Sequence, residues 1–260
     1  MLPFDFDYYL PENAKDAYTL FNKLKNEGIP PAYYGGGTEL ISRGRAGNIT
    51  FGACIDLKGI KELTEIKEEP NKIIIGAGVV LRVITESEVF PFLGSIVRRI
   101  ADHTVQNKIT LGGNILGGII YKESVLPLLL CNASVITYGK KGICERKIPD
   151  VFSQKLNLDD GELLMQISIE KTMTKNAWYH KKFVKTEKID YPLLTVAAMR
   201  QSGEIKYAVS GLYNYPTLID KDNPDIADGE ILNDRIASAS YRKFVLFRLL
   251  CEAEKELTDG

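Results

Sequence analysis

Three consecutive glycines, Gly35-Gly36-Gly37, lie between an apolar run ending in Tyr33-Tyr34 and the segment Thr38-Glu39-Leu40, which reads as a helix start. Glycine lacks a Cβ, so its backbone reaches positive φ and its N–H groups can come close to a bulky anion. Strand, loop and helix amino terminus in succession present free N–H groups and the positive end of the helix dipole, an arrangement that favours phosphate. A plain strand-to-helix turn is the competing interpretation of this stretch alone. A second loop, Thr110-Leu111-Gly112-Gly113-Asn114-Ile115, with Gly117-Gly118 close behind, strengthens the phosphate interpretation, close packing against a helix being its alternative. The rest of the chain is read as the frame that brings these two loops together.

The chain's 260 residues suffice for one large domain or two modest ones. With 33 basic against 34 acidic side chains, no basic excess points to nucleic acid or an anionic membrane. No apolar run approaches the ~20 residues of a bilayer span. Met1-Leu2-Pro3-Phe4-Asp5 has neither the basic nor the apolar region of a signal peptide, so a cytoplasmic location is expected. Cys54, Cys131, Cys144 and Cys251 form no C-x-x-C pair, which disfavours an iron–sulfur cluster within the chain and leaves buried free thiols as the expectation. Two histidines, His103 and His180, leave little for a metal site or a Ser-His-Asp triad, and no metal ligand or catalytic residue is assigned.

Taken in order, Asn13 opens a helix with Ala17, Leu20, Phe21 and Leu24 on one face, and Gly28 stops it. Ala32-Tyr33-Tyr34 reads as a strand, and Thr38 as the cap of the helix after the glycines. Phe51 to Leu57 and Lys72 to Ile75 read as strands. Gly76-x-Gly78 could begin a dinucleotide fingerprint, but position 81 is leucine, so a nicotinamide Rossmann domain is disfavoured. Helices are expected at 91–101 and 125–130, and a hairpin around Gly139-Lys140-Lys141. A strand at 163–169 precedes a polar stretch, Lys171 to Asn176, where a domain boundary is placed. A three-strand meander and a terminal helix from about Ser240 to Leu257 complete the chain.

With both glycine loops located, the chain resembles the FAD-binding subunits of the molybdenum hydroxylases, the group containing xanthine dehydrogenase, carbon monoxide dehydrogenase and nicotinate dehydrogenase. Gly35-Gly36-Gly37-Thr38-Glu39-Leu40 stands in place of the family's A-G-G-T-[DE]-L loop, and Thr110 to Asn114 in place of T-[IL]-G-G-N, some seventy residues on. The resemblance implies an α+β fold. A two-subdomain FAD-binding domain of the PCMH, vanillyl-alcohol-oxidase type would occupy residues 1–172, with subdomains at about 1–57 and 58–172. A C-terminal domain with a three-stranded antiparallel sheet and helices would occupy 173–260, with FAD in the cleft between.

Carried over by position, the backbone of Gly35, Gly36, Gly37, Thr38, Glu39 and Leu40 would hold the pyrophosphate, with Tyr33 and Tyr34 leading into the site. Thr110, Gly113, Asn114 and Leu116 would contact pyrophosphate, ribitol and adenosine, while Ala101 and Val105 add apolar surface. Glu123 stands where the family's aspartate bonds an adenosine ribose hydroxyl, Leu164 lies by the adenine, and Lys182 matches a lysine at the flavin's pyrimidine edge. The chain departs from the family pattern at Gln106, where an arginine is usual before Asn107. The implied function is electron transfer through FAD, from a partner [2Fe–2S] subunit beside a molybdopterin-binding subunit, to NAD(P)+ or another acceptor. Two alternatives stand beside it: a self-sufficient flavin oxidoreductase, and a non-catalytic assembly module that has lost FAD.

Overall fold

The computed structural model describes residues 1–186, 190–221 and 230–259. Its first sheet is parallel, with strands β1 (Asp7–Tyr9), β2 (Pro31–Tyr34) and β3 (Ala53–Asp56) in the order β1-β3-β2. Parallel neighbours need crossovers, and the helices Ala14–Asn26 and Thr38–Arg45 supply them. Asn13 caps the first helix, its Oδ1 accepting from the Asp16 N–H at 2.9 Å, so the sequence places this helix start correctly. The second helix differs: its cap is Gly37, at φ 71° and without a side-chain cap bond, and Thr38 is the first helical residue. Thr38 is therefore not the cap.

The second sheet is antiparallel. It comprises β4 (Ile66–Glu68), β5 (Lys72–Gly76), β6 (Ser134–Gly139), β7 (Gly142–Lys147) and β8 (Leu163–Glu170), in the order β4-β5-β8-β6-β7. Chain between β5 and β6 carries short helices, among them Leu81–Ser87, Pro91–Val97, Leu111–Leu116 and Val125–Leu130. The helix expected to run to Ala101 ends at Val97, and Ala101 adopts φ 55°. Gln106 stabilises that break: its buried amide donates to the carbonyls of Arg98, Ile100 and Ala101, which the ended helix leaves without partners.

The third sheet holds β9 (Trp178–Val184), β10 (Pro192–Gln201), β11 (Glu204–Ser210) and the short β12 (Thr217–Ile219) as an antiparallel meander. The three expected strands are thus joined by a fourth. Pro192 to Met199 are all buried, because β10 is covered on both faces. Leu194, Val196 and Ala198 face the terminal helix Ala239–Asp259, with Val245, Leu246, Leu249 and Leu250. Ala197 and Met199 face the other way, into a core shared with Ile73 and Ile75 of β5 and Ile167 and Ile169 of β8. Each such aliphatic side chain contributes about 1.5–3 kcal/mol on burial. Packing is therefore continuous across the expected boundary at residue 173.

Inward residues of β9 march along the helix Pro91–Val97 and the turn after it. Trp178 stacks on Phe92 at 5.1 Å between centroids, His180 meets the Ser95 hydroxyl at 3.1 Å, and Lys182 donates to the Arg99 carbonyl at 2.9 Å. Two strand residues rise about 6.6 Å, and three or four helical residues rise about 4.5–6 Å, so the two elements keep roughly in step. That match of repeats carries Lys182 to the helix end, where Ile100 and Ala101 enter the cleft.

Cysteines differ from expectation in part. Cys54 and Cys131 are buried, but Cys144 and Cys251 are exposed, on the edge strand β7 and on the solvent side of the terminal helix. Among the described residues, no helix is long and apolar enough to cross a membrane.

Candidate functional site

A cleft of about 1340 Å³ opens between the ends of the first sheet, the second sheet and β9. Its wall begins at β2, whose Tyr33 stacks on Phe21 at 4.7 Å and donates to the Gly161 carbonyl at 2.9 Å. The glycines that follow are shaped first by packing. A Cβ at Gly36 would run into the Lys108 carbonyl, one at Gly35 would lie 2.9 Å from Thr110 Oγ1, and one at Gly37 would overlap the Tyr34 ring. Close approach is therefore between the two loops themselves. The second loop is pinned by Leu111 N–H on the Val79 carbonyl at 2.9 Å and Gly112 N–H on the Ala77 carbonyl at 2.7 Å.

Between these contacts the helix start at Gly37 faces the cleft. An α-helix leaves its first N–H groups without intrahelical partners, and no side chain caps this one. Glu39, by contrast, is committed: its carboxylate accepts from the Gly118 N–H at 2.9 Å and from Arg43 at 3.1 Å, tying the first loop to the tail of the second. In the second loop Thr110 caps its own helix, Oγ1 accepting from the Gly113 N–H at 3.1 Å. Asn114 is buried and accepts from the Ser124 hydroxyl at 2.6 Å. These two side chains shape the loop, and Gly113 offers an open surface, since a Cβ there would meet only Thr110 Oγ1 at 2.8 Å.

The far wall carries a buried ion pair. Lys182 Nζ lies 2.8 Å from Glu123 Oε2, and Glu123 Oε1 accepts from the Thr195 hydroxyl at 2.7 Å. Register accounts for this, because Lys182 and Thr195 are paired positions on the inner face of β9 and β10. Both oxygens of Glu123 are engaged within the chain, whereas the ammonium, with three donors, keeps one after Glu123 and the Arg99 carbonyl.

Every residue singled out from sequence lines this cleft: Tyr33 to Leu40, Ala101, Val105, Thr110, Gly113, Asn114, Leu116, Glu123, Leu164 and Lys182. Sequence reasoning passed over Lys58, whose Nζ sits 4.3 Å above the Tyr34 ring and 2.5 Å from the buried Asp56 carboxylate. Hydrogen bonds from Lys58 and Tyr8 hold the Asp56 carboxyl below its ordinary range, although burial alone would raise it. Also missed were Lys122 and a stacked pair, Tyr121 and Tyr191, with centroids 5.2 Å apart. No motif marks these residues; only the folded cleft does.

Residues 4–171 match the family described as the FAD binding domain in molybdopterin dehydrogenase. The chain belongs to that family. FAD is accordingly its cofactor. Among curated relatives, the nicotinate dehydrogenase FAD-subunit of Eubacterium barkeri is 26% identical over 197 residues, 71% of this FAD-binding chain and 65% of that protein. The carbon monoxide dehydrogenase medium chain of Hydrogenophaga pseudoflava is 26% identical over 212 residues, covering 78% and 72%. The chain thus spans just under two thirds of the first of these. In fold it is similar to a solved carbon monoxide dehydrogenase chain from Hydrogenophaga pseudoflava, with a TM-score of 0.86 at 22% identity and 97% of each chain covered. A quinoline 2-oxidoreductase chain from Pseudomonas putida 86 gives 0.80 at 19% identity, with 99% covered.

The cleft fits the cofactor of the family: an uncapped helix start for negative charge, an open glycine surface for close approach, and a buried cation with a donor to spare.

Proposed function

We propose that this FAD-binding domain is the electron-transfer subunit of a molybdenum hydroxylase complex, with a [2Fe–2S] subunit and a molybdopterin-binding subunit as partners. NAD(P)+ is the acceptor we favour. The observation that carries this reading is the convergence, on one cleft, of the uncapped helix at Gly37, the open face of Gly113 and the ammonium of Lys182. When bound, FAD supplies the redox chemistry.

The chain's own residues bind, orient and tune. Backbone N–H groups from Gly35 to Leu40 would hold the pyrophosphate. Gly113 and Asn114 would take the ribitol and adenosine portions, and Leu164, Ala101, Val105 and Leu116 give apolar walls that exclude water. At the far wall, Lys182 is a fixed cation in a buried setting, which favours negative charge on the cofactor's pyrimidine edge. Glu123, which accepts from Lys182 and Thr195, serves on this reading to position Lys182, and its remaining lone pairs are available to a ribose hydroxyl. Residues 1–172 would form the FAD-binding part, and residues 173–260 would bring Lys182 to it.

The test is the visible spectrum of the purified protein, with identification of the released chromophore and of the chains that co-purify. Stoichiometric FAD with co-purifying iron–sulfur and molybdenum-bearing chains is the expected result. A colourless protein that cannot be reconstituted with FAD would overturn the reading.

A further inference from the structure

Four cations line or border the cleft, and their counter-ions differ. Arg43 pairs with Glu39, Lys58 with Asp56 and Lys182 with Glu123. Lys122 stands apart. It is only 5% exposed, yet among the described residues no carboxylate lies within salt-bridge distance of it, and its acceptor is the Gly117 carbonyl. Its backbone is also in the left-handed region, at φ 37°, where a lysine is uncommon. Glu39, whose negative charge the ammonium feels, is already held by Arg43 and Gly118.

Burying an ammonium without a counter-ion is unfavourable, and a strained backbone persists only where the surroundings or the function require it. A ligand that brings its own negative charge removes the first difficulty, and a binding role for the side chain would account for the second. Lys122 lines the cleft beside Gly117-Gly118, which abut Glu39 in the first turn of the helix that starts at Gly37. The uncapped end of that helix lies on the same wall.

We propose that Lys122 is a phosphate-binding residue of the cleft, its ammonium held on the Gly117 carbonyl so that the diphosphate of the bound dinucleotide becomes its counter-ion. This rests on the cofactor reading above and adds a residue that neither glycine motif contains. The diphosphate would then be held from two sides, by backbone N–H groups at the helix start and by a charged side chain on the loop leading to Glu123. No bond is made or broken in this role.

The test uses the full-length chain stripped of flavin, titrated with FAD and with riboflavin, which shares the ring system but has no phosphate. Lys122→Met removes charge and donor together, and Lys122→Gln removes the charge while keeping an N–H for the Gly117 carbonyl. Both should weaken FAD by about 10- to 100-fold, the range of a charged hydrogen bond, and leave riboflavin affinity and thermal stability close to wild type. Lys122→Arg should restore most of the FAD affinity. The FAD dissociation constant of the wild type should also rise more steeply with salt than that of Lys122→Gln. Equal loss of FAD and riboflavin in Lys122→Gln, or unchanged FAD affinity, would overturn the assignment while the cofactor reading stands. A wild-type chain that binds no FAD would overturn both.

Discussion

Glu123 and Lys182, 2.8 Å apart and each almost fully buried, join the loop before helix Val125–Leu130 to the inner face of β9. The pair lies between the second glycine loop and the third sheet, so it fixes the width of the cleft as well as the place of a cation within it. Replacing one partner strands the other charge in a poorly solvated site, which costs about 3–5 kcal/mol, whereas removing both together costs less. Lys182→Met should therefore destabilise the chain strongly, and Glu123→Gln with Lys182→Met should recover part of the loss. Urea denaturation of the three proteins measures this. Additive losses in the double variant would mean that the two charges do not act as a pair.

The glycines separate packing from binding. Gly36→Ala pushes a methyl into the Lys108 carbonyl, against backbone that cannot rotate away. Overpacking of this kind costs about 1–3 kcal/mol or more, and a loss at the top of that range is expected, together with loss of FAD. Gly113→Ala meets only the Thr110 hydroxyl that caps its own N–H. Stability should fall there by about 1 kcal/mol, the worth of a cap, while FAD affinity falls much further. Thermal melts beside flavin fluorescence titrations distinguish the two. The same geometry makes Gly37→Val a poor probe of phosphate approach, because its side chain would strike the Tyr34 ring at a backbone already at positive φ.

Much of this arrangement is legible in the sequence, and the reasons are local. Gly35 to Leu40 and Thr110 to Asn114 announce themselves by composition, and the helix at 14–26 by its cap and spacing. The apolar run of β10, the hairpin at Gly139 and the terminal helix follow from local composition and spacing. What stays hidden depends on distance in three dimensions. Strands β1, β4 and β12 are three residues each, too short for a period to show. Lys122 and Lys58 carry no motif, and their surroundings come from segments far away in the chain. Gln106 looks like a departure from a family arginine until its amide is found closing the broken helix at Ala101. Glu123 and Lys182 could each be assigned to the cleft by position, but only the register of β9 with β10 reveals that they hold each other.

His180 gives a pH dependence with a definite sign. Burial, and then the nearby charges of Arg99 and Lys182, push its imidazole down from 6.5 to about 4. The unfolded chain therefore takes up this proton first, so the contribution of neutral His180 is complete above about 6.5 and is lost as pH falls toward 4. The gap between those values bounds the loss at about 3 kcal/mol. His180→Asn, which keeps a polar partner for the Ser95 hydroxyl, should flatten the stability profile between pH 6.5 and 4. Denaturation midpoints across that window provide the check; an unchanged slope in the variant would assign the acid sensitivity to other groups.

Asp56 acts in a lower window and on the other side of the cleft. Its buried carboxylate accepts from the Tyr8 hydroxyl at 2.6 Å, the Lys58 N–H at 3.0 Å and Lys58 Nζ at 2.5 Å, joining β1 to β3 and holding the lysine over Tyr34. Its folded pKa lies below the ordinary 3.8, so its stabilising contribution is present above that value and is lost as pH falls through the folded one. Asp56→Ala leaves the Lys58 N–H without its acceptor and the ammonium without its counter-ion. A loss of about 2–3 kcal/mol is expected, in line with a buried, charge-assisted network. The Tyr8 phenol, pushed up to about 12 mainly by its bond to Asp56, should return toward 10 in the variant. Ultraviolet titration of the tyrosines reads that change directly, and a phenol that stays high without the carboxylate would remove Asp56 as the link between the outer strand and the cleft.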